Sequence, residues 1–203
     1  MSNFYLDVIK DRLYCDGVDS ASRRGAQTVI YRILDALVRI LCPILAFTSD
    51  EIWQAMPHHD GVRLENVMLN DMPKVDESVL DAELEQKWER VQALRDRVNR
   101  SLEAARAAKE IGKSLEAKVE ISANGEEYDF ITAQGELDKL FIVSAVAVTK
   151  NDALGNTLED IEVKITKASG TKCPRCWTFS EAAGTDSEHP ELCPRCTAVV
   201  KNA

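Results

Sequence analysis

No stretch of this 203-residue sequence reaches the roughly 18 uninterrupted apolar residues of a membrane-spanning helix, because Arg32, Asp35 and Arg39 break the richest one. No basic segment followed by an apolar run opens the chain, so no secretory signal is visible. Positive charge is in deficit: 25 Lys and Arg face 34 Asp and Glu, for a formal net charge of −9. That balance excludes a globally basic nucleic-acid binder, and any RNA contact has to come from a local basic face. His58 and His59 follow Pro57 in a turn and lack a visible acid or nucleophile partner, so they read as loop residues. A phosphate-binding loop is missing too. Gly112-Lys113-Ser114 imitates the end of one, but residue 107, where the first glycine should stand, is alanine, and the segment follows a helix where a Walker loop precedes one. It reads as a helix-to-strand hinge. Nothing in the chain assembles into a self-sufficient active site.

What is present is the balance of a folded protein, 45% apolar and 29% charged, with room for one domain or two small ones. Apolar spacing predicts a helix over 3–14 and a longer one over 22–41, whose stripe is Val29, Ile30, Ile33, Leu34, Leu37, Val38 and Leu41. Pro43 interrupts that helix. Thr48 and Glu51 form a capping-box pattern that starts a short helix carrying Ile52, Trp53 and Met56. A loop with Gly61 and Pro73 leads to a long helix over 78–109, with Leu84, Trp88, Val91, Leu94, Val98 and Leu102 as its seam. After Gly112 the period falls to two. Leu115 to Ile121 alternates as a half-buried strand, 126–138 is ambiguous and read as helical, and 141–148 and 161–166 read as strands. The expected fold class is α+β: a mainly helical bundle, then a small mixed α/β unit and a four-cysteine knuckle or ribbon. The bundle looks short of partners, as though further sequence lay upstream.

The cysteines carry the strongest signal. Cys173-Pro-Arg-Cys176 recurs as Cys193-Pro-Arg-Cys196 with 16 residues between the pairs, and each C-x-x-C can turn two thiolates toward one point. Two disulfides would need an oxidising compartment that nothing else suggests, a redox C-x-x-C wants a βαβ setting, and iron remains chemically possible. One structural zinc ion held by Cys173, Cys176, Cys193 and Cys196 is the favoured reading, because the module is too short to bury a core unaided. Four protein ligands leave no open position for substrate. His189 is treated as a surface residue, and Cys15 and Cys42 as small buried hydrophobes. Lys172, Arg175, Trp177 and Arg195 admit two readings: cations offsetting a negatively charged zinc tetrathiolate around a packed indole, or contacts to phosphates and an unpaired base.

Several blocks carry a family resemblance. Phe4 through Tyr14, Arg24 with Gln27-Thr28, Cys42 through Trp53, the arginine-containing stretch 95–106, Ile111 through Ala117 and Lys172 through Trp177 with the second cysteine pair follow one another in order. Together they resemble the C-terminal part of bacterial isoleucyl-tRNA synthetases, a class I family; the first block is shared in part with valyl and leucyl relatives. The family joins isoleucine to its tRNA using ATP and Mg2+. The H-I-G-H and K-M-S-K-S signatures that handle ATP are absent here, so the resemblance implies that catalysis and editing lie upstream and that this portion is noncatalytic alone. It implies recognition of the anticodon stem-loop of tRNA(Ile), with Arg24, Arg32 and Arg39 as candidate contacts on the helical face and Lys172, Arg175, Trp177 and Arg195 at the zinc end. It also implies a cytoplasmic monomer that contacts the upstream catalytic portion and no membrane. The expected division is 1–77 partial anticodon-binding bundle, 78–111 connecting helix, 112–168 α/β junction and 169–203 zinc module. The alternative is a zinc-stabilised docking domain with no RNA surface of its own.

Overall fold

A computed structural model describes residues 4–58 and 65–202. Two short helices come first, α1 (Tyr5–Val8) and α2 (Lys10–Cys15), followed by α3 (Ala21–Leu41) and α4 (Ala46–Ala55). The long helix α5 (Ala82–Ala107) precedes β1 (Ala117–Ala123), α6 (Gly125–Thr132), α7 (Leu137–Phe141), β2 (Ala145–Lys150) and β3 (Glu162–Lys167). The chain closes with the paired β4 (Thr171–Lys172) and β5 (Phe179–Ser180) and with α8 (Pro194–Lys201). This is the expected combination of helical bundle, mixed α/β unit and four-cysteine module. Among the described residues no helix is long and apolar enough to cross a membrane.

Packing groups the chain into two compact units, Asp19–Asp81 and the combination of Met1–Val18 with Ala82–Ala203. The first helices therefore belong with the C-terminal half, where the sequence reading put them with the bundle at 1–77. The reason is local packing: the Phe4 ring meets the Trp88 ring edge-on at 5.9 Å, and Arg195 grips Asp11.

In the Asp19–Asp81 unit, Ser20 caps α3 by accepting from the Arg23 N–H, and Pro43 follows the last turn. Val38, Cys42, Trp53, Met56 and Val67 form the core, joined by Tyr31, Leu34 and Ile52. His58 packs its ring against Trp53 at 4.2 Å, whereas His59 and Gly61 lie outside the described residues. Helix α4 begins at Ala46 after an N-cap Leu45 that makes no side-chain cap, so the expected Thr48 start is wrong by one turn. The turn at residues 42–45 already sets the helix going, with the Ser49 N–H donating to the Leu45 carbonyl at 2.8 Å. Among the described residues nothing covers the other apolar face of α3: Val29, Leu37, Ile40 and Leu41 are exposed, and beyond the helix so are Ile44 and Phe47, the latter at 94%.

The larger unit is built on a three-stranded sheet of order β2-β1-β3, β1 running parallel to β2 and antiparallel to β3. Central β1 buries Ala117, Val119, Ile121 and Ala123 completely, the period-two pattern written in its sequence. Against them pack Val91, Leu94, Val98 and Leu102 of α5, with Ile131, Phe141 and Val143. Only the second half of the predicted strand 141–148 is strand. Helix α7 runs through Phe141, the chain turns at Ile142 with φ 57°, and pairing begins only at Ala145. Val and Ile density alone could not show that break. Gly112-Lys113-Ser114 lies in the turn into β1, where the Gly112 N–H donates to the Glu116 carboxylate at 2.9 Å and the Arg106 guanidinium donates to the Ser114 hydroxyl at 3.0 Å.

Candidate metal centre

The two halves of the cysteine module are presented differently. Cys173 and Cys176 sit in the tight loop between β4 and β5: the Trp177 N–H donates to the Cys173 carbonyl at 2.8 Å, and the Cys173 N–H to the Thr178 carbonyl at 2.9 Å. That loop puts Trp177 at φ 67°, and Gly170 before it at φ 91°, where a Cβ would lie 2.3 Å from the Ser180 backbone. Cys193 is the N-cap of α8, Pro194 occupies the first turn as its missing N–H permits, and Cys196 follows on the same end of the helix.

All four thiols are buried and free of disulfides, and their sulfurs lie within 4.8 Å of one another. A tetrahedron with Zn–S bonds of about 2.3 Å has edges of about 3.8 Å, and the Cys176 and Cys193 sulfurs stand 3.7 Å apart. The donor set therefore fits a structural zinc ion, with all four positions supplied by the chain. His189 is outside the cluster. Burial pushes the Cys193 and Cys196 thiols up. At Cys173 burial acts the same way but is outweighed by the N–H groups of Cys176, Cys193 and Arg175, which bring it down to about 6. Four sulfurs held this close cannot all carry charge without a cation, so metal binding has to displace protons.

The arginines between the ligands face inward. Arg195 holds Asp11 in a two-pronged ion pair at 2.5 and 2.7 Å. Burial would raise the Asp11 carboxyl, but Arg195 holds it below its usual range. Arg175 donates to the Cys15 carbonyl at 2.6 Å and to the Cys196 sulfur at 3.5 Å. Cys15 packs into the same buried cluster as the four ligands, and burial, with Asp11 nearby, pushes its thiol up to about 11. Asp11 and Cys15 were invisible as partners in the sequence, since more than 150 residues separate them from the arginines.

Lys172 and Trp177 face outward. Trp177 is 60% exposed, and the Lys172 ammonium stands 5.7 Å from its ring centre. Trp177 borders a cleft of about 830 Å³ whose walls also include Tyr14, Lys10, Lys139, Ile142 and Phe179. On α3, Arg24 is largely exposed, 3.7 Å from Asp19. Arg32 is exposed, and its charge reaches Asp76. Arg39 is pinned by Asp35 and by the Asp71 carbonyl at 3.1 Å. The structure thus brings Lys172, Arg175, Trp177 and Arg195 to one module, with Arg175 and Arg195 engaged by Cys15, Cys196 and Asp11 and with Lys172 and Trp177 exposed.

Comparison with known proteins defines the class first. Residues 1–121 match the profile described as anticodon-binding domain of tRNA ligase, and residues 170–199 the one described as zinc finger found in FPG and IleRS. Among relatives, the isoleucine–tRNA ligase of Desulforudis audaxviator is 45% identical over 98% of this chain and 22% of its own length. That of Carboxydothermus hydrogenoformans is 46% identical over 98% and 22%, and that of Natranaerobius thermophilus 44% over 100% and 22%. The chain belongs to the anticodon-binding domain family of tRNA ligases and is similar over nearly its whole length to isoleucine–tRNA ligases, of which it spans about 22%.

Proposed function

We propose that this chain reads the anticodon region of tRNA(Ile) as part of an isoleucine–tRNA ligase whose remaining portion, with ATP and Mg2+, activates isoleucine and transfers it to the tRNA. The observation that carries the reading is Trp177, an exposed indole fixed by backbone geometry at the rim of a cleft, in a chain whose first 121 residues match an anticodon-binding profile. An unpaired base gains about 1–3 kcal/mol by stacking on such a ring. Lys172 beside the ring, and Lys10 and Lys139 on the cleft wall, where Asp7 and Glu136 pair with them, supply local positive charge for a neighbouring phosphate. Arg24 and Arg32 are the freest cations of the helical candidates. Arg39, Arg175 and Arg195 serve the fold. The protein acts in this reading as a cytoplasmic monomer.

The test is binding of the zinc-loaded chain to tRNA(Ile) and to the same tRNA with a swapped anticodon, at near-physiological salt. Preference for the cognate anticodon is expected. Equal, weak and steeply salt-dependent binding to both would overturn the reading.

A second reading, a docking domain with no RNA surface, draws on the open face of α3. Val29, Leu37, Ile40 and Ile44 recur at helical spacing without a cover among the described residues. In the ligase reading the same face meets the portion of the protein that the relatives have and this chain does not span. The two readings part at the tRNA experiment.

A further inference from the structure

Arg175 and Arg195 each stand in the chain between paired ligands, Arg175 just before Cys176 and Arg195 just before Cys196. Their backbones are therefore placed by whatever gathers the sulfurs. Both reach the same target. Arg195 forks onto Asp11 inside α2, with side chains 34% and 24% exposed, and Arg175 donates to the carbonyl of Cys15, the last residue of that helix. A helix end leaves its final carbonyls without partners, and a guanidinium there satisfies one and opposes the helix dipole. The same Arg175 donates to the Cys196 sulfur, so one side chain spans a ligand and the helix. Cys15 closes the contact by burying its thiol among the ligands, and Val199 of α8 comes within 4.0 Å of a Cβ position at Gly17.

We propose that the two arginines make the metal centre and the first helix pair one linked clasp: metal binding at the four cysteines holds residues 5–15 in place, and the docked helices in turn raise metal affinity. The coupling is reciprocal by thermodynamic necessity, so it can be read from either end. Arg175 and Arg195 are positioning residues, acting on the metal through ligand geometry and on the helices through Asp11 and Cys15. The inference is independent of RNA binding and survives if that reading fails.

The experiment measures zinc affinity by chelator competition for the intact chain, for Asp11→Asn and for Glu103→Gln, which removes an exposed ion pair with Arg106 elsewhere on α5. Hydrogen exchange is followed in parallel on residues 5–15 and on β1, zinc-loaded and after chelation. Asp11→Asn is expected to weaken zinc binding roughly 5-fold or more, within the usual span of such couplings, while Glu103→Gln leaves it unchanged. Chelation is expected to speed exchange in residues 5–15 by about tenfold or more with β1 still protected. Zinc affinity untouched by Asp11→Asn overturns the clasp, as does continued protection of residues 5–15 after chelation. Should chelation open β1 as well, the affinity of the Asp11→Asn protein decides alone.

Discussion

The α5–sheet core and the cysteine module lie in the same compact unit and are held by opposite means. The first buries fifteen residues, from Val91 to Ile161, and β1 alone places four fully enclosed side chains against α5. The second encloses four thiols with Cys15 and Leu192, and its only strands are two residues long. Apolar packing spreads stability over many small contacts, so no single side chain decides the outcome. A metal centre concentrates it in one bond set that is present or absent as a whole.

The widest test of that contrast is Cys196→Ser. Structural zinc sites in small modules contribute apparent binding energies of about 10–16 kcal/mol, so the substitution is expected to abolish stoichiometric zinc and unfold residues 170–201 as seen by hydrogen exchange. Leu94→Ala in the sheet core is expected to cost about 2–5 kcal/mol, lowering the denaturation midpoint while zinc stoichiometry holds. If Leu94→Ala also released the metal, the two regions would be one cooperative structure and the contrast would fail. Trp177→Ala should leave both regions intact and weaken tRNA binding by about 1–3 kcal/mol, roughly 5- to 150-fold; unchanged affinity in a filter-binding assay would remove the stacking platform. The smallest effect is in acid. Asp11 is held below its ordinary 3.8, so its ion pair contributes stability in full above that value and loses it as pH falls through the depressed one. Asp11→Asn should flatten that part of the stability–pH profile, and an identical acid limb in both proteins would deny the pair any role.

The same contrast governs how much could be read from the sequence. The metal site was legible down to its four ligands, because two C-x-x-C pairs state the geometry locally. The β1 strand and the α5 seam from Val91 to Leu102 were legible through period two and period 3.6, whereas Leu84 and Trp88, read into the same seam, are exposed. What escaped was set by tertiary contact. The left-handed turn at Ile142 delays the strand in a Val- and Ile-rich run to Ala145, and no periodicity marks it. The grouping of residues 4–18 with the C-terminal half comes from contacts distant in sequence, Phe4 with Trp88 and Asp11 with Arg195 across 184 positions. Arg175 and Arg195 admitted two readings because a cation's partner cannot be read from spacing, and the structure shows each engaged with the first helices. Lys172 and Trp177 are turned outward at the rim of the knuckle.

The three tryptophans fall in three separate neighbourhoods: Trp53 is 3% exposed in the helical core, Trp88 is 41% exposed beside Phe4, and Trp177 is 60% exposed one residue from a metal ligand. The chain thus carries its own optical labels. Emission from Trp53 should sit at shorter wavelength than that of the other two, and Trp177 alone adjoins a cysteine ligand in sequence. A colour change on chelation that vanishes in Trp177→Phe would report on the knuckle itself, and one that vanishes in Trp88→Phe on the docking of the first helices, with no dye attached to either.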